Sequence, residues 1–199
     1  MSSNGVNTGR RRFLTAATSA VGAAGVVGVA VPFVGSWNPS AKAKAAGAPV
    51  KADISKIQPG QMTVFEWRGK PVYVLRRTDQ QLAELDTLTD SLKDPLSDIS
   101  EQPAYVDQKN RAIKAELLVL VGLCTHLGCA PKHRPEVGGT PTSDGSKWVG
   151  GFFCPCHGSM FDLAGRVYKG VPASANLIVP PYSFESDNVI VIGVDQETA

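Results

Sequence analysis

The sequence predicts an N-terminal transmembrane α-helix joined to an all-β head, an antiparallel sandwich or barrel carrying two loops and a short helical insertion. Three observations point there. No charged residue lies between Arg12 and Lys42. From about Ala52 onward, short alternating and β-branched runs are separated by Gly and Pro turns, the pattern of a small antiparallel fold. All four cysteines fall in two short boxes among those runs. At 199 residues the chain can hold one ordinary domain and an appendage. Its net charge of +2 supplies no field suited to nucleic acid, and no such partner is expected.

The elements follow in chain order. Residues 1–12 form a cytoplasmic N-terminus of twin-arginine type, because Arg10-Arg11-Arg12-Phe13-Leu14 contains the R-R-x-F-L core of that export signal. Gly9 and Thr15 depart from its usual flanks. The same arginines would hold the N-terminus inside by the positive-inside rule, so either role predicts one orientation. Residues 13–35 form the transmembrane anchor, about the ~20 residues a helix needs to cross a bilayer. Pro32 and Trp37 mark its far interfacial end. Ala41-Lys42-Ala43 and Ala43-Lys44-Ala45 have the form of signal-peptidase sites, but the apolar stretch exceeds a signal core and retention is expected. Residues 36–50, mostly Ala, Gly, Ser and Lys, have little to bury and read as a flexible hinge.

The head spans 51–199. Residues 62–67 and 71–76 flank Arg68-Gly69-Lys70 as a hairpin. Residues 79–92 carry Leu82, Leu85 and Leu88 at roughly helical spacing. Residues 94–109, broken by Pro95 and Pro103, read as loop, and 116–122 as a buried strand feeding the first box. Residues 151–153 lead into the second box and 160–162 lead out of it. Residues 176–179 and 189–192 are expected to pair as a terminal hairpin across 186–188. Residues 130–147 read as a surface loop, with His133 exposed on it.

The boxes carry the chemistry. Cys124-Thr-His126-Leu-Gly-Cys129 places a cysteine and a histidine as C-x-H, and Cys154-Pro-Cys156-His157-Gly-Ser159 as C-x-x-H. Each box holds one further cysteine, so a metal site, a disulfide framework or both are open. A structural zinc site would explain two Cys and two His but not the extra pair.

Down to the intervening residues, the boxes resemble those of Rieske iron–sulfur proteins. That resemblance implies one [2Fe–2S] cluster, with Cys124 and Cys154 on one iron and His126 and His157 on the other. It implies a disulfide between Cys129 and Cys156. It gives Ser159 a hydrogen bond to a bridging sulfide, and places Leu127 and the proline loop at Pro172 beside the cluster. It also exposes departures: many respiratory members have tyrosine where this chain has Phe161, and Val171 interrupts the proline-loop pattern.

Soluble Rieske ferredoxins and oxygenase domains usually lack the second cysteine pair and the anchor. Rieske subunits of exported molybdenum oxidases, such as arsenite oxidase, are the nearer rival. The longer match, including Trp67-Arg-Gly-Lys-Pro71-Val, resembles bacterial Rieske subunits of the cytochrome bc complex, ubiquinol–cytochrome c oxidoreductase. It implies quinol as donor, cytochrome b and a membrane c-type cytochrome as partners, a dimeric proton-translocating complex, and a periplasmic head on the bacterial inner membrane. His126 and His157 would then contact quinol and couple proton to electron.

Overall fold

The structure, a computed structural model, describes residues 5, 7–137 and 148–196. The chain divides into two compact units, 1–45 and 46–199. In the first, α1 (Thr8–Gly35) is a 28-residue helix whose N-terminus is capped by the Asn7 side chain, which accepts from the Arg10 amide at 3.0 Å. That cap starts the helix ahead of the apolar stretch and takes the three arginines into it. At ~1.5 Å per residue it is about 42 Å long, enough for a ~30 Å hydrocarbon core. Among the described residues it is the one helix long and apolar enough to cross a membrane. A short helix, α2 (Ala41–Ala46), covers the A-x-A sequences.

The head follows in chain order as β1 (Val50–Asp53), β2 (Met62–Trp67), β3 (Lys70–Arg76), α3 (Asp79–Leu85), β4 (Leu117–Val121), β5 (Lys132–Arg134), β6 (Gly151–Phe153), β7 (Met160–Asp162), β8 (Tyr182–Ser186) and β9 (Val189–Ile192). They form three antiparallel three-stranded sheets, ordered β1-β9-β8, β2-β3-β4 and β5-β6-β7. The first box leaves the second sheet for the third, and the second box lies within the third. The expected hairpin closes between Trp67 and Lys70. Arg68 and Gly69 both take positive φ there, 52° and 67°, as the tight turn matching strand twist requires. Every residue of β4 is buried, as its unbroken Leu/Val run predicts.

Four elements differ from the sequence expectation: α2 lies within the hinge expected over 36–50, β5 lies within the loop expected over 130–147, and two more differ in extent or pairing. The helix over 79–92 is α-helical only to Leu85 and continues as a 3₁₀ turn, Asp86–Ser91. The leucines recur every three residues, the 3₁₀ period, and Asp, Thr and Ser are weak α-helix formers, so the tighter turn buries Leu85 and Leu88 together. The terminal hairpin takes its first arm from β8 rather than from 176–179. Pro180 and Pro181 cannot donate to a ladder. Residues 176–179 bond elsewhere: the Leu177 amide donates to Gly165, the Val179 amide to Glu101, and Ile178 accepts from the Val121 amide.

The turn leaving β7 is held by buried ions. The Asp162 carboxylate accepts from the Ala164 and Arg166 amides at 2.8 Å and from Arg166 Nε at 2.7 Å. Arg77 donates to the Leu163 carbonyl, and Arg111 to those of Ala164 and Gly165. Burial pushes the Arg77 and Arg111 pKa values down to about 10, and Asp162 opposes this. The second box is thereby anchored at its exit.

Candidate metal centre

The boxes are the turns joining β4 to β5 and β6 to β7, and the same two backbone bonds close each of them. In the first, the Cys124 amide donates to the Cys129 carbonyl and the Gly128 amide to the Cys124 carbonyl, both at 2.8 Å. In the second, the Cys154 amide donates to Ser159 at 2.8 Å and the Gly158 amide to Cys154 at 2.9 Å. Gly128 and Gly158 take φ of 80° and 75°, and a Cβ would meet nothing within 4 Å at either. The glycines are thus required by backbone conformation rather than by space.

Superposing the two patterns makes Cys124 the counterpart of Cys154 and Cys129 that of Ser159. Cys124 and Cys154 are free and buried, at 3% and 2% exposure. His126 is half-buried and His157 exposed, with ring centroids 4.8 Å apart and planes at 89°. Cys129 and Cys156 form a disulfide, Cα–Cα 6.6 Å, tying the end of one box to the middle of the other. The sulfurs of Cys129, Cys154 and Cys156 lie within 4.8 Å of one another. Two of those three are bonded to each other, so the thiols available to a metal are Cys154 and Cys124.

Burial pushes the Cys124 thiol up, while the His126 amide and the Ser159 hydroxyl both favour its thiolate. Ser159 is fully buried, and its Oγ also accepts from the Ala173 amide at 3.0 Å. Thr125 Oγ donates to the Ala175 carbonyl at 2.6 Å. Each box therefore holds one residue of the 170–175 loop, Ala175 or Ala173, and exposed Pro172 adjoins the latter. Leu127, 71% exposed, stands at the tip of the first box. Phe161 is fully buried opposite Phe152 in the β6/β7 pair and offers no hydroxyl. Two buried sulfurs, that of Cys124 backed by donors, with two imidazoles at the loop tips, fit the mixed donor set of a Rieske [2Fe–2S] cluster.

The expectation for His133 is corrected. It lies on β5, half-buried, opposite Phe152 with ring centroids 5.6 Å apart, and burial lowers its pKa. Pairing with β6 turns it inward. Residues 138–147 of the expected loop lie outside the described residues.

Thr125 and Tyr73 escaped the sequence reading. Thr125 stands between a cysteine and a histidine in its box, which was the available signal. Tyr73 sits far away in sequence, and only the fold brings it beneath the boxes. Burial, with the charge at Cys154, pushes its phenol pKa up, so it keeps its proton.

Residues 48–183 match the family of the Rieske [2Fe-2S] domain. Residues 1–40 match the family described as "Ubiquitinol-cytochrome C reductase Fe-S subunit TAT signal". The chain is 54% identical over 199 residues to the ubiquinol-cytochrome c reductase iron-sulfur subunit of Allochromatium vinosum, covering 100% of this chain and 95% of that one. It is 43% identical over 194 residues to the subunit of the same name from Blastochloris viridis, covering 96% and 97%. A solved structure titled "Hyperthermophilic respiratory Complex III" is similar with TM-score 0.47 and 28% identity, covering 89% of this chain and 99% of that one.

Proposed function

Since this chain belongs to the Rieske [2Fe–2S] family, among the iron–sulfur subunits of ubiquinol–cytochrome c reductase, we propose that it takes one electron at a time from quinol and passes it to a membrane c-type cytochrome. Cys124, His126, Cys154 and His157 hold the cluster in this proposal. The observation that carries it is the pairing of two like loops, with both free sulfurs buried and both imidazoles together at the tips. When bound, the cluster supplies a one-electron store at roughly −150 to +300 mV, well above the ~−400 mV of plant-type ferredoxins. Neutral imidazoles in place of thiolates account for that rise.

The residues around it divide the work. Cys124 and Cys154 keep their sulfurs away from water. His126 and His157 each have two ring nitrogens, one that would hold the cluster and one that could accept a proton, so a quinol could give up an electron and a proton at one place. Leu127 and Pro172 supply the apolar surface around them. The molybdenum-oxidase alternative loses its ground, because residues 1–40 match the reductase signal family. The head would work on the periplasmic side of the bacterial inner membrane, with cytochrome b as partner in a dimeric, proton-translocating complex.

Phe161 tests the environment of the sulfurs. Phe161→Tyr should raise the midpoint potential if the new hydroxyl reaches a ligand sulfur, and Ser159→Ala should lower it by removing a donor. Potentiometric titration checks both. An unchanged potential in folded Phe161→Tyr would make Phe161 a packing residue only.

Delivery between two sites needs reach. The Arg68 amide donates to the Ala46 carbonyl at 3.1 Å, so residue 46 belongs to the head, and 36–45, most of α2 included, is read as the tether. Replacing 41–45 by a proline run in the assembled membrane complex should keep the cluster spectrum and slow quinol–cytochrome turnover. Unchanged turnover would refute a moving head.

A further inference from the structure

Tyr73 sits on β3, outside both boxes, yet three of its contacts fall on their boundaries. Its ring lies so close to Gly122 that a Cβ there would come within 2.4 Å of the ring. The ring stacks on Phe152 with centroids 5.8 Å apart and planes at 20°. Its hydroxyl donates to the Pro131 carbonyl at 2.9 Å in a buried bond. Gly122 stands two residues before Cys124, Pro131 two after Cys129, and Phe152 two before Cys154. One side chain therefore touches the entry and exit of the first box and the entry of the second.

Tyr73 stands on the central strand of its three-stranded sheet. Its strand pairs with β2 and β4 on both sides, opposite Val64 and Leu120. The Gly122 amide donates back to Pro71 on the same strand at 2.8 Å. Phe161, the cross-strand partner of Phe152, brings no hydroxyl to this layer.

We propose that Tyr73 is a positioning residue, which fixes the spacing of the two boxes from beneath by holding Pro131 through its hydroxyl and Phe152 through its ring. This deepens the assignment of the boxes as cluster loops and rests on it. The role has two separable parts. Losing the hydroxyl leaves the Pro131 carbonyl without its donor, whereas losing the ring also opens a void between Gly122 and Phe152.

The test uses the full-length chain in detergent, comparing Tyr73→Phe and Tyr73→Leu with the parent. Tyr105→Phe serves as control, since that hydroxyl bonds the Tyr182 backbone and no box residue. The first readout is the rate at which a small dithiol reduces the Cys129–Cys156 disulfide, which needs no iron. The second is the EPR spectrum of the reduced, cluster-loaded protein. Tyr73→Phe should speed disulfide reduction about tenfold, the scale of one orphaned buried carbonyl, and shift the EPR g values, with far-ultraviolet dichroism unchanged. Tyr73→Leu should do more of both, and Tyr105→Phe neither. Parental rates and spectrum in Tyr73→Phe, or equal acceleration in Tyr105→Phe, would overturn the role. A parent chain without any iron signal would refute the cluster assignment instead, and the disulfide rates would still decide whether Tyr73 positions the boxes.

Discussion

Replacing His157 by cysteine should have the largest effect on electron transfer of any single substitution in the head. A thiolate in place of a neutral ring adds a full negative charge to the donor set. The range for mixed Cys/His ligation, roughly −150 to +300 mV, lies well above the ~−400 mV of four-thiolate ferredoxins. His157→Cys makes one of the two exchanges that separate those ranges, so it should either lose the cluster or lower its midpoint potential by roughly 100 mV or more. Redox titration followed by EPR measures this. A cluster retained at parental potential would remove His157 from the ligand set. The exposure of His157 makes the outcome readable, because little packing is lost with its ring.

The second large effect belongs to the disulfide. Cys129 and Cys156 close a loop with a sequence separation of 27, for which chain entropy gives roughly 3–4 kcal/mol. The double substitution Cys129→Ser with Cys156→Ser avoids leaving a lone thiol beside Cys154. It should lower the thermal unfolding midpoint of the head by roughly 10 °C, and the visible absorption should bleach faster on standing. Differential scanning calorimetry and absorbance give the two numbers. An unchanged midpoint would mean that the boxes are held by β5–β7 and the 170–175 loop without help from the cross-link.

What could be read in the sequence was what is local in it. The anchor shows because an uncharged run of that length has few other uses. The Arg68-Gly69 turn shows because Gly69 suits positive φ, and β4 because its run of Leu and Val has nowhere to go but inside. The boxes are legible because ligand, glycine and cross-link positions all lie within six residues. Assigning the disulfide to Cys129 and Cys156 took a family resemblance, since four cysteines permit other pairings. What failed depended on distant partners. His133 looked like a loop residue until β6 paired with its strand. Residues 176–179 looked like a strand, but their backbone groups are claimed by Gly165, Glu101 and Val121. Tyr73 looked like one more residue of a hairpin. Its hydroxyl finds Pro131 across 58 positions, and no local pattern encodes that.

The central claim is that two histidines and two cysteines of this chain hold one redox-active cluster. It is tested most directly by growing the protein with heavy-nitrogen histidine and recording electron–nuclear double resonance on the dithionite-reduced, full-length chain. Two distinct histidine nitrogens should couple strongly to the electron spin, and separate substitutions of His126 and His157 should each abolish that mixed signal. A reduced protein without an EPR signal, or one with no coupled histidine nitrogen, would contradict it.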